Sequence, residues 1–123
     1  DLYQSHREAL FKMVKNLVKW ILLKEVKNDQ YIIDLMEKVI LELHSRNDLM
    51  IRVSEDLYSR LESILPLVEE KIGKLQNVRV ETDPNLKERG VIVESSNGII
   101  DGSLEAQFEN LDKIFSNIGI TDE

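Results

Sequence analysis

The sequence predicts an α/β fold (α+β in its segregation). It should hold a small mixed sheet of three to four strands, with a βαβ unit and a C-terminal hairpin, covered by about four helices. Three observations predict this. Apolar residues recur at helical spacing in four stretches and alternate at strand spacing in others. A strand, a helix and a strand follow one another from Leu49 to Thr82, which makes those two strands parallel, with a right-handed crossover. Asn97-Gly98 then stands between two runs rich in β-branched residues, a strong hairpin signal.

The first helix is expected over residues 1–26. Ser5 and Glu8 form a capping box unless the helix already runs in from upstream. The chain opens at Asp1 rather than Met. The expected organisation is therefore a helix at 1–26 continuing from an upstream helical stalk, a globular domain at 27–119 and a tail at 120–123. Leu10, Met13, Val14, Leu17, Val18 and Ile21 form an apolar stripe, which Phe11, Trp20 and Leu22 widen to roughly 200° at about 100° per residue. One core contact needs about half of that arc. Two readings stand: a helix sandwiched within its own domain, or a helix shared between its core and a partner. Leu10, Val14, Leu17 and Ile21 are expected to face the domain's own core. Phe11, Val18 and Leu22 lie on one flank, Met13 and Trp20 on the other, and these five are the candidate partner residues.

Asn28 or Asp29 is placed to cap a second helix, whose stripe is Ile32, Met36, Val39, Ile40 and Leu43. Residues 44–48 read as a polar loop. Leu49, Ile51 and Val53 share one face of a strand, and Ser54 caps the next helix with Glu55 and Asp56 in its first turn. That helix carries Leu57, Leu61, Ile64, Leu65 and Val68, and Pro66 is expected to bend or split it near Ile64. Val78 to Thr82 is the second strand, with Val78 and Val80 inward. Val91 to Ser95 and Ile99-Ile100 form the hairpin, with Asn97-Gly98 as a type I′ turn. Asp101-Gly102-Ser103 ends it, and Ser103 caps a last helix. Leu104, Phe108, Leu111, Phe115 and Ile118 are its apolar face, and Gly119 is its stop.

Composition narrows the function. The chain suits one domain with one core, and at 42% hydrophobic and 32% charged it should fold and stay soluble. There is no cysteine, so neither a disulfide framework nor a thiolate metal site is available. A net charge of −7 argues against nucleic acid as a partner. The charge is uneven: six Lys/Arg against three Asp/Glu over residues 1–28, but seven against fifteen over 54–123. A basic first helix is either a solvated face or a membrane-surface helix.

Little here reads as chemistry. His6 and His44 have no neighbour at metal-ligand spacing. Asp83 and Asp101 are imaginable as a carboxylate pair, but a turn residue and a residue ahead of a helix cap explain them. Lys87-Glu88-Arg89 reads as a solvated charged loop. No GxxxxGK[ST], GxGxxG or GxSxG is present, so the expectation is no enzyme, no cofactor, no metal and no small-molecule substrate.

Lys24-Glu25, IRVSEDL at Ile51–Leu57, VRVETDPNLKERGVIVES at Val78–Ser95 and above all GIIDGSLEAQFENL at Gly98–Leu111 carry a family resemblance. From about Ile21 onward the chain resembles the C-terminal domain of the flagellar assembly protein FliH. That family is related to type III secretion stators and to the E subunit of V/A-type ATPase peripheral stalks. Asn97, Gly98, Asp101, Ser103, Leu104 and Gln107 form the structural motif. Gln107 and the short Gly98-to-Ser103 link look like the flagellar form, whereas the stalk subunit usually has Arg there. Ser54 stands where the family often has Pro, Arg89-Gly90 where it often has Gly-Gly, and Val91 where Cys is common. The resemblance implies a non-catalytic adaptor or stator domain that binds and regulates the flagellar export ATPase at its N-terminal region. It also implies a homodimer through the upstream helical region and the first helix. Upstream segments would reach the export gate and the motor ring, in the cytoplasm at the base of the export apparatus. A peripheral-stalk subunit of a rotary ATPase and a membrane-surface module are the alternatives.

Overall fold

The computed structural model describes the backbone of residues 2–117 and the side chains of residues 4–117. Eight elements follow one another: α1 (Leu2–Glu25), α2 (Asp29–Leu43), β1 (Asn47–Val53), α3 (Glu55–Ile72), β2 (Gln76–Thr82), β3 (Val91–Ser95), β4 (Gly98–Gly102) and α4 (Leu104–Asn117). The expected last residue of the apolar face, Ile118, and the expected stop at Gly119 lie outside the described residues.

The α/β class, the βαβ unit and the hairpin are all present. The sheet order is β2-β1-β3-β4. β1 and β2 are parallel, with Ile51 opposite Val80; β3 is antiparallel to β1 and β4 antiparallel to β3. The core forms where the apolar faces of α2 and α3 meet one face of the sheet. Met36, Ile40, Ile51, Leu57, Ile64, Val91 and Val93 are shut off from solvent there. This burial supplies the driving force, about 25 cal/mol per Å² of apolar surface removed from water.

Helix starts follow the capping residues. The Asn28 side chain accepts from the Gln30 N–H at 2.9 Å, Ser54 Oγ from the Leu57 N–H at 3.3 Å, and Ser103 Oγ from the Ala106 N–H at 3.1 Å. Each takes a donor that the first helical turn leaves unpaired. Ser5 does not start α1, because the helix already runs at Leu2. Pro66 does not split α3, which is continuous from Glu55 to Ile72. Pro66 is exposed, so water can hydrate the carbonyl its ring leaves without a donor.

The hairpin turn also differs from expectation. Ser95 pairs with Gly98, so Ser96 and Asn97 are the two turn residues, and neither has positive φ. Gly98, at φ +146°, absorbs the left-handed step as the first residue of β4. A type I′ turn needs positive φ at both turn residues, so this two-residue turn is not of that type. The sheet also holds a matched irregularity: Asp48 and Asn77 both take positive φ in adjacent strands, and Asn77 Nδ2 donates to Asp48 Oδ1 at 3.1 Å.

Candidate functional site

α1 is a single helix of 24 residues, and its apolar stripe faces solvent. Leu10, Met13, Val14, Leu17, Trp20 and Ile21 range from 42% exposed at Val14 to 68% at Met13. Positions 10, 14, 17 and 21 repeat at spacings of four, three and four, the seam of a helix that packs along another helix. Met13 and Trp20 broaden one side of the seam. The stripe spans about three turns, or roughly 17 Å at 1.5 Å per residue.

The expectation that Leu10, Val14, Leu17 and Ile21 face the domain's own core is therefore wrong. α1 packs on α4 instead, through the flank that carries Phe11, Lys15 and Lys19. Phe11 meets Phe115 edge-on at 6.5 Å between ring centres. The Lys19 ammonium lies 5.4 Å from the Phe108 ring centre and 3.0 Å from Asp112 Oδ1. Lys15, buried despite its charge, reaches the same oxygen at 3.5 Å. The order of contacts runs 11, 15, 19 against 115, 112, 108, so the two helices are antiparallel.

Charge explains the choice of side. α4 carries Glu105, Glu109 and Asp112, and α1 is basic. Lys15 and Lys19 lay their aliphatic stems along the helix pair and bring their ammonium groups to one carboxylate. The Lys19 hydrogen bond, helped by Lys15, holds the Asp112 carboxyl below its ordinary range. Phe11, Val18 and Leu22 are half-buried, while Met13 and Trp20 are exposed. The five candidate partner residues thus divide: three lie towards α4's side and two lie on the open stripe. Lys24 stacks over the Trp20 ring at 4.1 Å and Arg7 over Phe11 at 5.7 Å. A cation therefore stands near each end of the stripe.

The C-terminal motif residues hold this pair of helices in place. Asn97 Nδ2 donates to the Leu43 carbonyl at 2.8 Å, tying the hairpin tip to the end of α2. Asp101 Oδ1 accepts from the Ser103 N–H at 2.9 Å, Ser103 caps α4, and Leu104 is buried. Gln107 Oε1 accepts a hydrogen bond from the Tyr31 hydroxyl at 2.6 Å, and Nε2 donates to the Gly102 carbonyl at 3.2 Å. Burial raises the Tyr31 pKa, with the Gln107 bond opposing it. Gly90 and Gly102 sit against backbone: a Cβ would come 2.9 Å from Ser103 Cα at the first and 2.8 Å from the Val91 carbonyl oxygen at the second.

Arg89 is not solvated, as the charged loop suggested; its side chain is 14% exposed. Nε donates to Asp56 Oδ2 at 2.7 Å, and Nη1 donates to Asp29 Oδ1 at 2.9 Å and to the Lys27 carbonyl at 3.1 Å. It clamps the α1–α2 turn to the starts of α2 and α3. Hydrogen bonds from Arg60 and then Arg89 lower the Asp29 pKa, against some desolvation. Sequence reasoning missed Arg89, because its acceptors come from two segments, 27–29 and Asp56, both distant along the chain. It missed Tyr31 and the Lys15–Asp112 contact for the same reason.

A depression of about 760 Å³ opens at the C-terminal ends of β1 and β2, where open α/β sheets seat their ligands. Two of its three carboxylates are engaged locally: Asp56 by Arg89, and Asp83 by the Asn85 N–H at 2.9 Å. Asp83 and Asp101 each serve their own turn rather than pairing. His44 caps α2 in a left-handed conformation, φ 53°. Among the described residues, no group of three or more His, Cys, Asp or Glu is arranged to hold a metal ion. No helix among them is long and apolar enough to cross a membrane.

A family model described as "Flagellar assembly protein FliH" matches residues 1–111. No curated protein matches the chain.

Proposed function

Because the chain belongs to the family of the flagellar assembly protein FliH, we propose that it is a non-catalytic adaptor or stator domain. On this reading it binds and regulates the flagellar type III export ATPase, in the cytoplasm at the base of the export apparatus. The observation that carries the reading is the exposed stripe of α1. A stripe at helix–helix spacing, turned away from its own domain, suits an amphipathic helix laid along it, and the N-terminal segment of the ATPase is the proposed occupant. Trp20 is the anchor, since aromatic side chains carry a disproportionate share of binding energy.

The four-three-four spacing also favours a second copy of α1 as the occupant, consistent with the homodimer the family resemblance implies. Charge weighs against self-pairing at this stripe. In register it would set Lys24 beside Lys24, and antiparallel it would set Arg7 beside Lys24, both mildly destabilising. A partner helix with carboxylates at its ends meets neither cost. The dimer contact then belongs to the upstream helical region, along with links to the export gate and motor ring.

The test is capture of the purified ATPase by wild-type protein and by Trp20→Asp and Leu17→Asp, with light scattering to read the oligomeric state. Both variants should stay folded and lose the ATPase. Undiminished capture places the docking face elsewhere. Loss of self-association with capture intact assigns the stripe to the second copy, and binding to anionic vesicles lost in the variants assigns it to a membrane surface.

A further inference from the structure

The hairpin tip carries a chemistry that the adaptor role does not use. Of the chain's eight asparagines, only Asn97 precedes a glycine. Ser96 and Asn97 make the turn, both are exposed, and Gly98 follows at φ +146°. A Cβ built on Gly98 would meet nothing within 4 Å, so the backbone there stands open to water. We propose that Asn97 is a spontaneous modification site, converting through a cyclic imide to aspartate and isoaspartate, and that this conversion unfastens the hairpin from α2.

The step balances without a metal or an oxidant. The Gly98 backbone nitrogen attacks the Asn97 side-chain carbonyl carbon, and a C–N bond forms. The bond from that carbon to Nδ2 breaks, and Nδ2 leaves as ammonia with the proton Gly98 gives up. Water then opens the imide. Attack at the side-chain carbonyl yields aspartate. Attack at the main-chain carbonyl yields isoaspartate, which carries one extra methylene in the backbone. A side chain on the following residue would crowd the attacking nitrogen and restrict the backbone that must close the ring; glycine does neither. Asn28, Asn47 and Asn77 precede Asp29, Asp48 and Val78, and the remaining four precede Leu or Ile.

The closed hairpin restrains the reaction. Nδ2 is held by the Leu43 carbonyl at 2.8 Å, with the His44 carbonyl at 3.4 Å, and the turn is braced by the Asn97 N–H donating to Ser95 Oγ at 3.1 Å. The imide therefore forms when the tip lets go of α2, and its rate reports that local opening. The product cannot close again in the same way. Leu43 and His44 present acceptors at the C-terminal end of α2, the negative end of its dipole. A carboxylate there faces two carbonyl oxygens with no proton to offer. β4 runs directly from this tip into the Ser103 cap, so the loss spreads to the seat of α4.

The test keeps the full chain folded at mildly alkaline pH and physiological temperature. It follows each asparagine by peptide mass and by isoaspartyl methyltransferase labelling. A gain of one mass unit with isoaspartate, confined to Asn97 and faster in urea than in buffer, is the expected result. No conversion of the folded chain over a time in which the urea-unfolded chain converts fully, or equal conversion at the other asparagines, overturns the site. The structural consequence is read separately with Asn97→Asp and Asn97→Ser. Asn97→Asp should melt several degrees lower, and the gap should close as acid protonates the new carboxyl and restores a donor. Equal melting at neutral pH overturns the unfastening.

Discussion

The body of the domain and the α1–α4 pair use amphipathic helices in opposite ways. In the body, the stripes of α2 and α3 are spent inward: Met36, Ile40, Leu57 and Ile64 are at most 1% exposed. In the pair, α1 turns its richest apolar face outward and packs through Phe11, Lys15 and Lys19, while α4 buries only Leu104 fully. One region is held by apolar burial, the other by two aromatic rings, a shared carboxylate and the Gln107 bridge. The difference separates a region that spends its apolar faces on its own core from one that leaves an apolar face open to solvent.

The widest contrast should appear on truncating side chains. Ile51→Ala opens a cavity beneath the sheet and should cost about 3 kcal/mol, within the usual range for large-to-small core changes. Leu17→Ala, on the open stripe, should change stability by no more than about 0.5 kcal/mol. Urea unfolding of both variants checks this. Similar losses would mean that α1's stripe belongs to the core after all.

What was legible follows the same division. Local rules governed the body: alternation at Leu49, Ile51 and Val53 placed β1, and the Ser54 hydroxyl placed the start of α3. The direction of α1's stripe was not legible, because spacing fixes which residues share a face and says nothing of what the face meets. That depended on Asp112, far along the chain, drawing Lys15 and Lys19 to it. Arg89 was misread for a like reason, since a charged loop looks solvated until two distant segments converge on it. Asn97-Gly98 marked the hairpin correctly, yet the turn slid back by one residue, because Gly98 alone takes the left-handed conformation while Ser96 and Asn97 stay in the ordinary region.

The joint between the two regions should give a middling effect. Tyr31 sits on α2 and Gln107 on α4, joined at 2.6 Å. Tyr31→Phe removes the hydroxyl and should cost about 1 kcal/mol, the net worth of one such hydrogen bond. The loss should be local. Amide exchange should quicken along α4 while α2, α3 and β1 keep their protection. Uniform quickening would join the two regions into one cooperative unit.

Acid should act more weakly, and on both regions. Asp29 in the body and Asp112 on α4 each have a folded pKa below the ordinary 3.8, held there first by Arg60 and by Lys19 respectively. A carboxyl lowered by folding contributes stability above its unfolded pKa and loses that contribution as pH falls through the folded value. Stability should thus stay level from neutral pH to about pH 5 and decline below about pH 4. Asp112→Asn should be less stable than wild type at neutral pH and should converge on it in acid. A constant gap across the titration would mean that the Asp112 contact is not electrostatic.

The smallest effect on stability is also the most informative. Trp20 and Phe11 looked equivalent in the sequence, one on each flank of the arc. In the fold Phe11 lies against Phe115, while Trp20 is 53% exposed and stacked under Lys24. Phe11→Asp should therefore loosen α4 and lower the melting temperature by a few degrees, as expected for about 1 kcal/mol in a domain of this size. Trp20→Asp should leave melting nearly unchanged, because Trp20 is 53% exposed. Binding should reverse the order. Trp20→Asp should abolish ATPase capture outright, since it removes the aromatic anchor and puts a charge on the open stripe. Phe11→Asp should weaken capture only as far as it disturbs α1. If Trp20→Asp unfolds the protein instead, the stripe is internal and the division between the two regions fails.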